Sequence, residues 1–315
     1  MSRPAFLSRI ELKKLGPLAA LLILCIGLAF VSPDFLTLGN LLNVMRQVSI
    51  NAVIAFGMTL VILLGGIDLS VGSILAMSSV VMALLLKAGG NPALATLLGV
   101  LAGACLGTIN GLIVTKGKVA PFIATLGTMT TLRGFALVFS NGSPITGFSS
   151  DFFSSLGDGY VASLIPVPVV WMLVLFVVFW FVMKQTVFGR HVYATGGNVE
   201  AAGLSGVKTD RVQIYVYTIC GATAAMSGVI LMSRLNSAQP TAGVGYELDA
   251  IAAVVIGGTR LSGGQGTIIG TIIGTLIMGV LTNILRLNDI DSNVEMMIKA
   301  VIIVLAVAVQ RKGRP

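Results

Sequence analysis

Nine apolar runs, each close to the length of a bilayer's hydrocarbon core, occupy most of this chain: 15–31, 47–64, 70–86, 93–115, 121–139, 166–183, 213–233, 265–285 and 294–310. A helix needs about 20 such residues to cross that core. A soluble domain cannot bury so many of them, because too little polar surface remains to cover it. The 315 residues are 56% hydrophobic and only 10% charged, and their mean hydropathy is +0.98. Spanning backbone must satisfy its own hydrogen bonds within lipid, and each run is a helix-length run, so the fold class is an all-α polytopic membrane protein. The formal net charge of +8 does not indicate a nucleic-acid surface. The Lys and Arg residues stand at the ends of apolar runs, as cytoplasmic anchors do, and no nucleic-acid partner is expected.

Charge also decides the number of crossings. The basic N-terminus, with Arg3, Arg9, Lys13 and Lys14, precedes a run too long for a signal peptide's apolar region and is read as the inner flank of a retained first span. Lys116 and Lys118 then fall inside, as do Lys184, Arg190, Lys208 and Arg211, while the 141–165 loop has no Lys or Arg and lies outside. Nine crossings would leave the basic tail, Arg311-Lys312-Gly313-Arg314, on the outer side. Counting the short, small-residue-rich segment 247–258 as a crossing returns that tail to the cytoplasm. The expectation is about ten transmembrane helices, N-in and C-in, with the eighth short and irregular. Irregular backbone at membrane depth requires cover from protein or a water-filled cavity, so this segment is expected to border a pathway. The whole of 1–315 reads as one transmembrane domain with an inner loop at 184–211 and an outer loop at 141–165.

Two turns share the frame Gly-Gly-x-x-Leu-Ser-x-Gly. One contains Gly66, Asp68 and Ser70, the other Gly258, Arg260 and Ser262, and both follow runs heading inward. Such matching turns point to an internal repeat of the kind that transporters carry, with the plainer alternative that any tight turn between two spans collects Gly and Ser. The opposed charges at Asp68 and Arg260 allow a pair, although a turn acid or base more simply caps a helix or faces water. Leu261-Ser262-Gly263-Gly264-Gln265 spells a signature string of cassette ATPases, but the sequence has no Gly-x-x-x-x-Gly-Lys-Ser/Thr phosphate loop, and the string leads directly into an apolar span. Glycine recurs every fourth residue at Gly99, Gly103, Gly107 and Gly111, and again at Gly266, Gly270 and Gly274, giving flat stripes for close helix packing.

The remaining polar residues are few. Cys25, Cys105 and Cys220 lie within apolar runs and read as small apolar filler, and His191 alone makes no metal site. Asp68, Glu200 and His191 read as cytoplasmic loop residues, and Glu247, Asp249, Asp289, Asp291 and Glu295 as outer-face residues. No acid is then left deep in the membrane, which disfavours an ion-driven carrier. Arg133 and Lys299 sit toward the outer ends of spans and are expected to snorkel to the headgroups, with the lining of a polar outer vestibule as the alternative. Gln47 and Asn51, one helical turn apart, and Thr125 and Thr128 suit contact with a neutral polyol, so these four and Arg133 are candidate path residues. Hydrogen bonds between helices are the plainer alternative.

One long polar, basic-flanked loop, Lys184 to Arg211, contains Glu200-Ala201-Ala202 with Gly206 beyond it. The spacing resembles the coupling loop of permease subunits in ATP-binding-cassette importers. A wider likeness accompanies it. The stretches Ser237 to Gly243 and Tyr246 to Val255, Gly57 to Leu63 leading into Gly66 to Ser73, Phe122 to Leu126, Asn141 to Pro144, and the loop Tyr193 to Gly206 resemble the ribose-type permeases of bacterial importers. The resemblance covers nearly the whole chain. It implies a homodimer in a bacterial inner membrane, working with an ATPase subunit that hydrolyses ATP and a periplasmic sugar-binding protein. The chain itself would bind no cofactor and be no enzyme. Related permeases serve other monosaccharides, so the class is firmer than the sugar. The alternatives left open are an ion-coupled carrier or facilitator acting alone, and a membrane subunit with no transport.

Overall fold

A computed structural model describes residues 9–148 and 150–312. The basic residue Arg3 and the tail residues Gly313 and Arg314 lie outside the described residues. In chain order the helices are α1 Arg9–Val31, α2 Leu38–Leu63, α3 Val71–Lys87, α4 Pro92–Thr115, α5 Pro121–Phe139, α6 Asp151–Asp158, α7 Val167–Gln185, α8 Val187–Gly197, α9 Val199–Leu204, α10 Thr209–Leu235, α11 Tyr246–Ile256, α12 Ile268–Leu287 and α13 Ser292–Lys312. Two short strands, β1 Tyr160–Val161 and β2 Ile165–Pro166, pair antiparallel between α6 and α7. Among the described residues six helices, α2, α4, α5, α7, α10 and α12, are long and apolar enough to cross a membrane. Their outward faces carry large apolar side chains such as Phe181, 54% exposed, as a lipid-facing surface must. The protein is an all-α, multi-pass integral membrane protein.

Local chemistry sets the helix starts. Asn91 caps α4 by accepting from the amides of Ala93 and Leu94, and Pro92 occupies the first turn, where its missing N–H costs nothing. Thr37 caps α2, which begins well before the apolar run at 47. Its polar opening is held by distant partners. Asn40 and Asn283 exchange two side-chain hydrogen bonds, at 3.0 and 2.6 Å. Arg46 lies 4.8 Å over the Tyr160 ring and 3.9 Å from Asp158.

α2 forms the buried centre, with Val48 and Ala52 to Met58 shielded from solvent and lipid. Both α10 and α12 pack against it. The two glycine stripes make close helix contacts. In α4, Gly103 and Gly107 lie against Gly221 of α10, and Gly111 lies against Ile214. In α12, Gly270 and Gly274 lie against the carbonyls of Gly257 and Ala253. A Cβ at these positions would enter a neighbour's backbone, so only glycine permits the approach. Hydroxyl pairs add bonds between helices: Thr59 with Thr271 at 2.7 Å and Thr108 with Thr218 at 2.8 Å.

The irregular segment is a half-length helix. α11 has 11 residues, about 16 Å at 1.5 Å per residue, half the thickness of a hydrocarbon core. The chain reaches its start through 236–245, whose residues Ser237, Ala238, Pro240 and Gly243 are buried, and Gly243 touches Gly72 in the first turn of α3. The backbone of this inward-dipping loop is satisfied from outside itself. Ala238 and Ile145 form a two-bond bridge at 2.9 and 3.0 Å, and Arg133 Nη1 donates to the carbonyls of Pro240 and Ala242, both at 2.7 Å. Arg133 therefore does not snorkel. Its guanidinium supplies the donors that the loop's carbonyls would lack in lipid.

Candidate functional site

One end of the bundle gathers three loops. The connection 64–70 follows α2, the α8–α9 pair spans 187–204, and the connection 257–267 follows α11. They touch through backbone. The amide of Gly264 donates to the carbonyl of Leu63 at 2.8 Å, and Gly196 is wedged between that carbonyl and the Gly264 amide. A Cβ on Gly263 would lie 2.7 Å from the Gly196 carbonyl and 3.0 Å from the Gly65 amide. The left-handed φ values of Gly65, Gly258, Gly263 and Gly264, from +72° to +91°, let both turns bend this sharply. Tyr193 of α8 donates to the carbonyl of Gly266 at 2.9 Å. The two similar turns thus adjoin one another, and the α8–α9 element is seated on both.

α9 is the exposed tip. Asn198 caps it through the Ala201 amide at 2.9 Å; Glu200 and Ala201 face outward, Ala202 packs inward at 5% exposure, and Leu204 is 92% exposed. Gly206 ends the element with φ +87° and nothing within 4 Å of a Cβ position. Ser262 and Arg260 are exposed on the neighbouring turn. An ion pair between Lys116 and Asp210 at 2.6 Å joins α4 to the start of α10 at this same end.

Asp68 departs from the sequence expectation. It neither faces water nor pairs with Arg260, which is exposed on the other turn. The segment 64–70 folds back between the helices, and Asp68 is fully buried. Its Oδ1 accepts from the Ser70 amide at 2.9 Å and from Ser70 Oγ at 2.6 Å, while Asn110 Nδ2 donates to Ser70 Oγ at 2.7 Å. The flanking residues place it within the bundle. Asn110 is five residues from the end of α4 and Cys220 is eleven from the start of α10, depths of about 8 and 16 Å along those helices. A buried acid is therefore present, contrary to the expectation that none lies deep. Thr125 closes over this segment, its hydroxyl donating to the carbonyls of Ile67 at 3.1 Å and Pro121 at 2.9 Å.

At the opposite end lies a cavity of about 390 Å³ whose lining includes Gln47, Asn51, Arg234, Tyr246, Asp249, Arg286, Glu295 and Lys299. Lys299 does not snorkel either. Its Nζ pairs with Asp249 at 3.0 Å and Glu295 at 2.8 Å, and all three side chains are at most 14% exposed. Arg286 adds a 3.3 Å contact to Glu295 and a 3.4 Å hydrogen bond to Gln47. Gln47 and Asn51 thus share a polar hollow in which Lys299 and Arg286 are paired with Asp249 and Glu295 and Arg234 adds a further positive charge. Thr125 and Thr128 lie elsewhere. Thr125 is buried beside Ile67, and Thr128 lines a separate apolar groove of about 500 Å³ between α4 and α5, with Leu106, Ile109 and Phe135. The ionic lining of the first cavity was missed because its members come from α2, α10, α11, α12 and α13, and sequence spacing links only Glu295 and Lys299, four apart on one helix. Among the described residues no group of His, Cys, Asp and Glu is arranged to hold a metal.

The bundle thus presents an exposed helical tip at one end and a polar hollow at the other. Residues 40–307 match the family model described as the permease component of branched-chain amino acid transport systems, and the chain belongs to that family. It is 53% identical to the ribose import permease protein RbsC of Bacillus subtilis over 96% of this chain and 94% of that one. It is 47% identical to RbsC of Escherichia coli K12 over 94% of this chain and 92% of that one. The L-arabinose ABC transporter permease AraH of Azospirillum brasilense is 38% identical over 93% of this chain and 86% of its own length. No solved structure matches.

Proposed function

We propose that this chain is the ten-span permease subunit of an ATP-binding-cassette importer carrying ribose or a closely related monosaccharide. The observation that carries the reading is 53% identity to a ribose import permease across nearly the full length of both chains. The family's description names branched-chain amino acids, but near-full-length relatives carry sugar names, including one for D-allose at 39% identity. A neutral polyol suits the hollow better than a zwitterion, because both of its acids, Asp249 and Glu295, are already engaged by Lys299 and Arg286 and leave no carboxylate for an ammonium group.

The end bearing α8 and α9 is cytoplasmic, in keeping with Lys116, Lys184, Arg190, Lys208 and Arg211. Both termini share that side, and the 390 Å³ hollow opens outward. A periplasmic sugar-binding protein docks on the outer loop 141–165, which holds α6 and the β1–β2 hairpin. A partner ATPase docks on Glu200, Ala201 and the α9 tip, and Gly206 turns the chain away. Its push travels through Gly196 into the turns at 64–70 and 257–267, which lead directly into α3 and α12. Two copies of the chain form the permease. Gln47 and Asn51 meet the sugar at the outer hollow, whereas Thr125 and Arg133 act in holding backbone.

The test is reconstitution. Proteoliposomes with this chain, its cognate ATPase, the binding protein and internal ATP accumulate labelled ribose, and those lacking ATPase do not. Concentrative uptake by the chain alone under an ion gradient, or uptake of branched-chain amino acids in place of sugar, would overturn the reading.

A further inference from the structure

The connection 64–70 holds a carboxyl group with no countercharge. Asp68 is fully buried, and among the described residues no Lys or Arg makes an ion pair with it. Oδ1 is satisfied by Ser70, but Oδ2 has no hydrogen-bond partner, and neither has Asn110 Oδ1 nor the Tyr217 hydroxyl. All three residues belong to one cluster, Asn110 from α4 and Tyr217 from α10, with Cys220 Sγ also beside the carboxyl but outside hydrogen-bond geometry to Oδ2. The hydroxyl of Ser70 has a single proton. It is given to Asp68 Oδ1, so Asn110 must turn its amide nitrogen to Ser70 and leave its oxygen facing the cluster. Two bare acceptor oxygens and an uncompensated carboxylate are a costly combination in a low-dielectric interior.

We propose that Asp68 is a proton-binding site: its carboxyl is carried neutral through the neutral pH range, with the Oδ2–H donating to Asn110 Oδ1. One proton then removes the charge and satisfies both orphaned oxygens. The other charged or titratable groups facing this region are consistent with it. α10 presents the Tyr217 hydroxyl and the Cys220 thiol; α11 presents Glu247, whose Oε2 lies against Gly72; α5 presents Arg133, which is engaged by the Pro240 and Ala242 carbonyls. A monovalent cation would also neutralise the carboxylate, but the backbone is packed tightly here, with a Cβ on Gly66 falling 2.8 Å from the Tyr217 hydroxyl, and a proton needs no room. The neutral acid pins the turn that joins α2 to α3 onto α4, next to the loops where Gly196 is wedged.

Infrared difference spectroscopy of the purified full chain at neutral pH, in water and in deuterium oxide, tests this. The expected result is a carboxylic-acid C=O band above the amide envelope that shifts on deuteration and is missing from Asp68→Asn. The amide of Asp68→Asn supplies the same donor without a charge, so that variant keeps wild-type thermal stability and sugar uptake. Asp68→Ala strands the Asn110 oxygen and loses roughly 5 °C in melting temperature. A missing acid band in the wild type, a band that appears only when sodium is removed, or an Asp68→Asn variant as impaired as Asp68→Ala would each overturn the proposal.

Discussion

The two ends of the bundle are built from different materials. At the α8–α9 end the tightest contacts run backbone to backbone, through Gly65, Gly196, Gly263 and Gly264, and Tyr193 adds a hydrogen bond to the Gly266 carbonyl. At the opposite end the helices are separated by long side chains, Lys299, Arg286, Asp249 and Glu295, around an open hollow. Close-packed backbone has few alternative arrangements and passes a push on, whereas a hollow lined by flexible charged chains reshapes around what enters it. The first suits a mechanical joint and the second a vestibule.

The sharpest way to break this contrast is Gly196→Val. The new side chain meets the Leu63 carbonyl and the Gly264 amide, and overpacking against immobile backbone costs about 3 kcal/mol. Uptake should vanish, as read by transport in proteoliposomes alongside thermal unfolding. Normal uptake and stability would mean that the three loops are not rigidly joined. Next in size is Lys299→Met at the other end, which leaves Asp249 and Glu295 without their shared cation. The loss is about 2 kcal/mol, below the range for fully enclosed pairs because Arg286 still serves Glu295. Re-pairing by Asp249→Asn in the same chain should recover most of it, which a thermal-shift comparison of the single and double variants measures.

Gly206→Leu separates mechanics from folding. Its φ of +87° disfavours a side chain by about 1–2 kcal/mol, yet nothing lies within 4 Å to clash. The variant should reach the membrane in normal amount and bind the ATPase while sugar uptake falls, so unchanged transport would remove the coupling role. The smallest effect belongs to Lys116→Ala. Its pair with Asp210 is short but both side chains are at least half exposed, and such pairs contribute at most about 1 kcal/mol. A larger destabilisation would mean that the joint extends to the start of α10.

The parts of this fold that were legible in sequence are those fixed by nearby residues. Apolar runs marked the six helices that, among the described residues, are long and apolar enough to cross a membrane, the glycine stripes marked faces that pack closely without naming their partners, and Glu200-Ala201-Ala202 lies on a short helix whose Asn198 cap is itself a local signal. What escaped depends on partners far along the chain. The polar start of α2 reads as a loop until Asn283, 243 residues away, meets Asn40. Arg133 reads as a snorkelling residue until the loop 107 and 109 residues on supplies its carbonyls. Asp68 reads as an exposed turn acid because Gly-Gly and Ser mark any tight turn, wet or buried.

Cysteine placed at Glu200, on a background with Cys25, Cys105 and Cys220 replaced, gives the most direct test of the joint's place and purpose. A membrane-impermeant thiol reagent should label it in inside-out vesicles and not in intact cells, and added ATPase subunit should shield it. Labelling from the outer face, or labelling that the ATPase leaves unchanged, would contradict the coupling of this element to a cytoplasmic motor.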